Sequence, residues 1–297
     1  MLSWDDLRIV LAVARDETLS AAGRRLKIDP ATVGRRITRA EQALGTPLFA
    51  KSPTGYALTD AGQRLMVHAM AMEQSMSEAV EEMAGQTGQL SGQIRIGAPD
   101  GCANFLLPQV CAQISNDNPD LDIQIVALPR VVNLSKREAD MAIAVSPPTA
   151  GRLSVQKMTD YHLHLAAHED YLATHHDINA LDDLRQHRVI GYIPDMIFDK
   201  ELDYLTDTGT QRVSLASNSV SVQFNWLRGG HGVGIVHDFA LPFDRKIKKI
   251  LTDEFSLTRS FYLVRHTDDR RLERMNSFAD QLIRALKAEV ARLETNC

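Results

Sequence analysis

The sequence predicts an α/β chain in two unequal parts joined by a long helix. Three observations predict it: a helix-turn-helix pattern with a hairpin behind it at the start, an unbroken four-and-three apolar stripe next, and strands alternating with amphipathic helices over the remainder.

From Leu19 to Glu41 the chain spells a helix, a tight turn and a second helix. The second is predicted to begin at Pro30, because the Asp29 carboxylate can cap free N–H groups and the fixed φ of proline suits the first helical position. Val33, Ile37 and Ala40 gather on one face, while Thr32, Arg35, Arg36 and Arg39 fall on the other. One face packs and the opposite face is basic. The preceding helix begins at Thr18 or Ser20, and its small residues Ala21, Ala22 and Gly23 let two helices approach at a steep angle. Arginines on one face are also what a solvated amphipathic helix shows. The next stretch decides between the two. Around Pro53 and Gly55, two short extended runs make a hairpin whose tip carries Lys51, Ser52 and Thr54, groups suited to phosphate contacts. Residues 1–58 are thus predicted to be a winged DNA-reading module, with Ser20, Pro30, Ala31, Thr32, Gly34, Arg35, Arg36, Arg39, Lys51, Ser52 and Thr54 toward the duplex.

Residues 59–90 follow as a linker, with one long helix from Thr59 to about Gln86. Leu65, Ala69, Met72, Met76, Ala79 and Met83 recur at alternating intervals of four and three, the spacing of a helix that buries a narrow stripe against a partner helix. A helix packed on its own domain is the other reading, but an exposed rod has little else to bury against. The stripe predicts a homo-oligomer. Gly85, Gly88, Ser91 and Gly92 mark a hinge.

Residues 91–297 read as strands alternating with helices: strands at Gln93–Gly97, Leu121–Leu128, Asp140–Val145, Val189–Gly191 and Val233–Val236, with helices at Asn104–Ser115 and from Asn218 or Ser219. A mostly parallel sheet is predicted, with ligands beyond the carboxyl ends of its strands. The loops there hold Pro99, Asp100, Gly101, Cys102 and Asn104, then Arg130, Ser146, Tyr192, Asn218, Ser219 and His237, the candidate ligand-binding residues. A helix starting near Asn218 aims free N–H groups at such a crevice, and Arg130 could pair with a carboxylate.

The string Leu7 to Leu65, with Ala21-Ala22, Leu26, Ile37, Glu41, Leu44-Gly45, Pro47-Leu48-Phe49, Gly55, Leu58-Thr59 and Ala61-Gly62, resembles the winged helix-turn-helix of LysR-type transcriptional regulators. The chain length is similar too. The resemblance implies an N-terminal winged helix-turn-helix, a long linker helix and a C-terminal effector domain of the type II periplasmic-binding-protein-like fold. Its two α/β subdomains would be about 91–161 with 267–297, and about 162–266, with the loops above lining the cleft. It further implies linker helices paired antiparallel in dimers or tetramers, promoter DNA, a small-molecule effector and RNA polymerase as partners, and no catalysis or cofactor. Two departures matter. Asp29, Pro30 and Gly34 stand where relatives often carry Ser, Gln and Ser. Asp100 stands where many carboxylate-binding relatives carry Ser or Thr, and a carboxylate there repels an anionic ligand unless protonated or paired.

Three signals are set aside. Gly229-Gly230-His231-Gly232-Val233-Gly234 precedes a strand, the wrong order for a nucleotide loop. His162, His164, His168, His175 and His176 lack a carboxylate or cysteine at ligand spacing, so no metal is expected. Cys102 beside a helix start could hold a thiolate, which leaves redox sensing open as an alternative. Charge is uneven: residues 1–64 carry ten Lys/Arg against seven Asp/Glu, so a head of +3 leaves −8 of the overall −5 for the rest. There is no run of eighteen apolar residues and no export signal, so no membrane contact and a cytoplasmic location are expected. That absence also argues against a solute-binding protein, the runner-up reading. Three cysteines imply no disulfide framework.

Overall fold

The structure, a computed structural model, describes residues 2–52, 55–83, 90–127, 139–148, 153–210, 212–267 and 273–295. It divides into two compact units, Met1–Gly88 and Gln89–Cys297.

The first unit opens with α1 (Trp4–Asp16), which the sequence reading did not single out. Ser3 and Asp6 cap it reciprocally, and Leu7, Ile9, Val10, Leu11 and Val13 bury its inner face. Helices α2 (Leu19–Leu26) and α3 (Pro30–Leu44) follow, capped by Thr18 and Asp29 through Ala21 N–H and Ala31 N–H. Val33, Ile37 and Ala40 are buried, as the spacing predicted. A Cβ at Gly23 would sit 2.8 Å from the Ile28 carbonyl, which is why the turn between the helices is so tight. The hairpin pairs β1 (Phe49–Ser52) with β2 (Gly55–Leu58), Phe49 opposite Leu58. The Glu41 carboxylate accepts from the N–H groups of Leu48 and Phe49, at 2.8 and 3.2 Å, and so ties the hairpin to α3. Helix α4 spans Asp60–Met83, with the Thr59 hydroxyl accepting from Gly62 N–H.

The second unit carries β3 (Gly92–Ala98), α5 (Asp100–Phe105), α6 (Leu107–Asp117), β4 (Leu121–Ala127), β5 (Met141–Ala144), β6 (Leu153–His168), α7 (Glu169–Thr174), β7 (Val189–Gly191), β8 (Leu215–Ala216), α8 (Val220–Arg228), β9 (Val233–His237), β10 (Ile247–Lys249), β11 (Leu257–His266) and α9 (Glu273–Thr295). Among the described residues nine strands make one sheet in the order β4-β3-β5-β11-β6-β9-β7-β8, with β10 beside β6. The sheet is not mostly parallel. Two parallel sets, β4-β3-β5 and β9-β7-β8, are joined by the long antiparallel pair β11-β6. The chain therefore passes between the sets twice. Tyr161, Phe239 and Phe261, all fully buried, cluster with His237 against the crossing strands.

Two further expectations are corrected. The loop expected at Ala98–Asn104 is largely helix, since α5 starts at Asp100. The single helix expected over Asn104–Ser115 is broken at Leu106, because Pro108 has no N–H for an Asn104 carbonyl and instead starts a new helix near its first turn. By contrast the glycine segment leads into β9 as expected, and it also ends α8, with Gly230 at φ +69°.

Candidate functional site

In the first unit the exposed side of α3 and the hairpin form an open groove lined by Ala31, Gly34, Arg35, Thr38, Arg39, Gln42, Lys51 and Tyr56. Of the predicted set, Ser20, Pro30, Ala31, Arg35, Arg39 and Lys51 are exposed, whereas Thr32, Gly34 and Arg36 are half-buried. The arginines are not equivalent. Among the described residues Arg35 donates to Thr32 Oγ1 on its own helix, at 2.9 Å. Arg36 leans on Asp5, at 3.4 Å, and Arg39 binds both oxygens of Asp6. Burial works against the charge of Asp6, but hydrogen bonds from Arg39 and Ser3 outweigh it and hold the carboxyl below its ordinary range. Arg36 and Arg39 are thus partly occupied in orienting α3 on α1. Lys51 Nζ stands over the Tyr56 ring, 5.9 Å from its centroid. Ser52 lies in β1, and Thr54 lies outside the described residues. Thr38, Gln42 and Tyr56 were not predicted, although continuing the helical spacing from Arg35 would have found the first two.

Along α4 the predicted stripe splits. Ala69 is fully buried and Leu65 packs against the core of the same unit, so these two serve the head itself. Packing on α1 claims these two, and Arg15 pairs with Glu73 beside them, at 2.5 Å. Met72 and Met76 stay exposed, at 47% and 57%, with Val67 exposed as well. The side chains of Ala79 and Met83 lie outside the described residues, as do Gly85 and Gly88 of the expected hinge.

In the second unit the carboxyl ends of β3 and β9 come together. Pro99 precedes α5, Gly101 and Cys102 are buried within it, and a Cβ at Gly101 would lie 3.4 Å from both His237 Cε1 and Val220 Cγ1. Asp100 Oδ2 accepts three hydrogen bonds from the start of α8: Ser221 N–H at 2.8 Å, Ser221 Oγ at 3.0 Å and Ser219 Oγ at 3.0 Å. Ser221 was missed, although its place in the first turn of α8 could have suggested it. Asn104 folds back on its own helix, its Nδ2 donating to the Asp100 carbonyl and carboxylate. Ser146 Oγ donates to Asp199, another residue that the sequence did not suggest. His237 is buried, which pushes its pKa down to about 4 despite Asp238 and Asp100 nearby; its Nε2 is 3.5 Å from the Tyr204 hydroxyl. Tyr192 stacks edge-on against Tyr204, with ring centroids 5.7 Å apart. A cavity of about 10 Å³, room for one water, lies among Tyr204, Val220, Gln223 and His237. Asn218 is half-buried beside the cap of α8, and Arg130 lies outside the described residues.

Two set-aside signals find structural roles. His162 pairs with Glu294 and His164 with Asp238, and His175 stacks on Tyr171; among the described residues no three His, Cys, Asp or Glu gather as a metal site. Cys102 is buried in α5, not exposed at a helix start. Burial pushes its thiol far up, and that of Cys111 up to about 12, so neither supplies a thiolate near neutral pH.

A winged helix-turn-helix head followed by an α/β unit with two parallel strand sets defines a class of two-part DNA-binding regulators. Residues 4–63 match the family described as "Bacterial regulatory helix-turn-helix protein, lysR family", and residues 87–287 match the "LysR substrate binding domain". The chain belongs to the LysR family of transcriptional regulators. It is 34% identical to the HTH-type transcriptional regulator DgdR of Burkholderia cepacia over 149 residues, a match spanning 49% of this chain and half the length of that relative. It is 25% identical to the transcriptional activator TtdR of Escherichia coli K12 over 256 residues, 81% of this chain and 80% of that one. The fold is shared with CrgA of Neisseria meningitidis (21% identity, TM-score 0.60, covering 95% of this chain and 98% of that one). It is also shared with full-length OxyR C199D of Pseudomonas aeruginosa (16%, 0.70, 97% and 98%).

Proposed function

We propose that this chain acts as a homo-oligomeric, cytoplasmic LysR-type regulator. In this reading α3 and the hairpin bind promoter DNA, a small molecule in the crevice between α5, α8 and β9 changes that binding, and RNA polymerase is the downstream partner. The observation that carries it is the meeting of α5, α8 and β9 at the carboxyl ends of two separate parallel strand sets, where ligands of open α/β sheets bind. A ligand favouring one arrangement of the two sets would shift the population of DNA-binding states. The solvent-facing Met72 and Met76 favour α4 as the surface on which a second copy packs. No catalytic role is assigned, in keeping with a family of transcriptional regulators, and no helix among the described residues is long and apolar enough to cross a membrane.

The test is selection of genomic fragments by the purified protein, followed by gel shift with and without a metabolite panel. Recovery of a palindromic site whose occupancy or footprint changes with one metabolite is expected. Retention of no fragment above random DNA would favour a solute-binding role. For Asn218→Leu and Asn104→Leu the expectation is loss of the metabolite response with operator affinity unchanged; loss of DNA binding with ligand binding intact would move the site elsewhere.

A further inference from the structure

The start of α8 is a place where an anion is favoured, because the first N–H groups of a helix point outward without helical partners and carry partial positive charge. Here the position is taken. Asp100, from the helix that follows β3, brings one carboxylate oxygen within 2.8 to 3.0 Å of three donors on Ser219 and Ser221. Near it lies a buried polar atom without a partner among the described residues, His237 Nδ1. Tyr161 stacks on the His237 ring at 5.5 Å, and His237 is the ring that approaches Gly101, the residue following Asp100. Buried polar atoms are ordinarily satisfied, so such an atom beside a crevice points to a hydrogen-bonding molecule that completes it. Among the described residues the charges nearby are unfriendly to an anion. Asp199 holds Ser146, and Arg259 is engaged by the Glu201 carboxylate at 3.0 Å and by the Glu201 carbonyl at 3.2 Å. Burial keeps His237 uncharged near neutral pH.

We propose that Asp100 is a built-in anion occupying the start of α8, so that the crevice selects an effector with no anionic group, hydrogen-bonded by His237. This rests on the reading of the crevice as the effector site. An incoming carboxylate would have to displace Asp100 and leave it unpaired. An amide, alcohol or amine meets no such opposition.

The experiment uses the full-length chain as wild type, Asp100→Ala and Asp100→Ser, with acetate and its uncharged isostere acetamide as probes, read by calorimetric titration and thermal melting. Removing the carboxylate vacates the anion position, so both variants are expected to bind acetate at least tenfold more tightly than wild type and to prefer it over acetamide. Equal acetate affinity in wild type, or folded variants that ignore acetate, would overturn the proposal. Wild type decides by itself if the variants fail to fold: in a panel of matched acid and amide pairs, preference for the amides supports the assignment and preference for the acids overturns it. Gel shift reports separately on sensing. A metabolite panel that never alters operator binding, with the acetate gain of Asp100→Ala intact, would remove the effector reading and leave the assignment of Asp100 standing.

Discussion

A methyl group at Gly62 would lie 2.2 Å from the Leu48 carbonyl and 2.9 Å from Leu58 Cδ2, so the first turn of α4 fits under the hairpin only without a side chain. Gly62→Ala is expected to lower the stability of the head by about 3 kcal/mol, as overpacking against backbone does, and to abolish operator binding. Denaturant unfolding of the variant checks the first and gel shift the second. In the second unit, His237 links stability to pH. Its folded pKa of about 4 lies below the ordinary 6.5, so on acidification the unfolded chain takes up the proton first. The contribution is whole above pH 6.5 and is lost as the pH falls toward 4, about 3 kcal/mol in all. Unfolding of wild type and His237→Gln across that window is expected to show the loss in wild type and a flatter profile in the variant. Residue identity was visible in the sequence for both positions, yet neither role was. Each depends on a neighbour distant along the chain, Leu48 for the glycine and Tyr161 and Tyr204 for the histidine.

At the scale of elements, α3 was the most readable, since one apolar stripe and an Asp-Pro start specify both its packed face and its first residue. What the stripe could not show is that Asp5 and Asp6 of α1 draw Arg36 and Arg39 aside and leave Arg35 the less engaged arginine. Arg35→Ala is therefore expected to relax preference at particular operator positions by about 1–3 kcal/mol, whereas Lys51→Ala weakens all sequences alike and reduces the salt slope by about one unit. Binding isotherms on cognate and random DNA at several salt concentrations separate the two, and equal losses on both DNAs for Arg35→Ala would refute base reading. Helix α4 was readable as a helix but not as a divided one. The same spacing serves Ala69 inside the unit and Met72 and Met76 outside it, because periodicity marks a face and does not say what covers it. Met72→Asp with Met76→Asp is expected to shift the protein to monomers with weaker operator binding; unchanged mass in light scattering would sink that assignment.

Across the whole molecule the apolar residues make separate cores, one containing Val10, Ile37 and Phe49, another containing Ile96, Leu163 and Phe278. Phe278 is fully buried on α9, and Phe278→Ala is expected to lower the unfolding transition of the Gln89–Cys297 unit by about 3–5 kcal/mol. Calorimetry should show the head transition in place, and a common fall of both would mean that the units unfold as one. The sequence by itself determined the local matters: which residues begin and end helices, which faces are apolar, the helix-turn-helix with its hairpin, and through them the family. These follow from spacing and capping, which are properties of near neighbours. The tertiary structure alone decided that β6 and β11 join two parallel sets, that Leu65 and Ala69 of the α4 stripe are spent inside the head, and that Asp100 lies on Ser219 and Ser221. The last is a contact between residues more than a hundred positions apart. Nothing in the spacing of either segment encodes it, because it exists only once the sheet has brought the ends of β3 and β9 together.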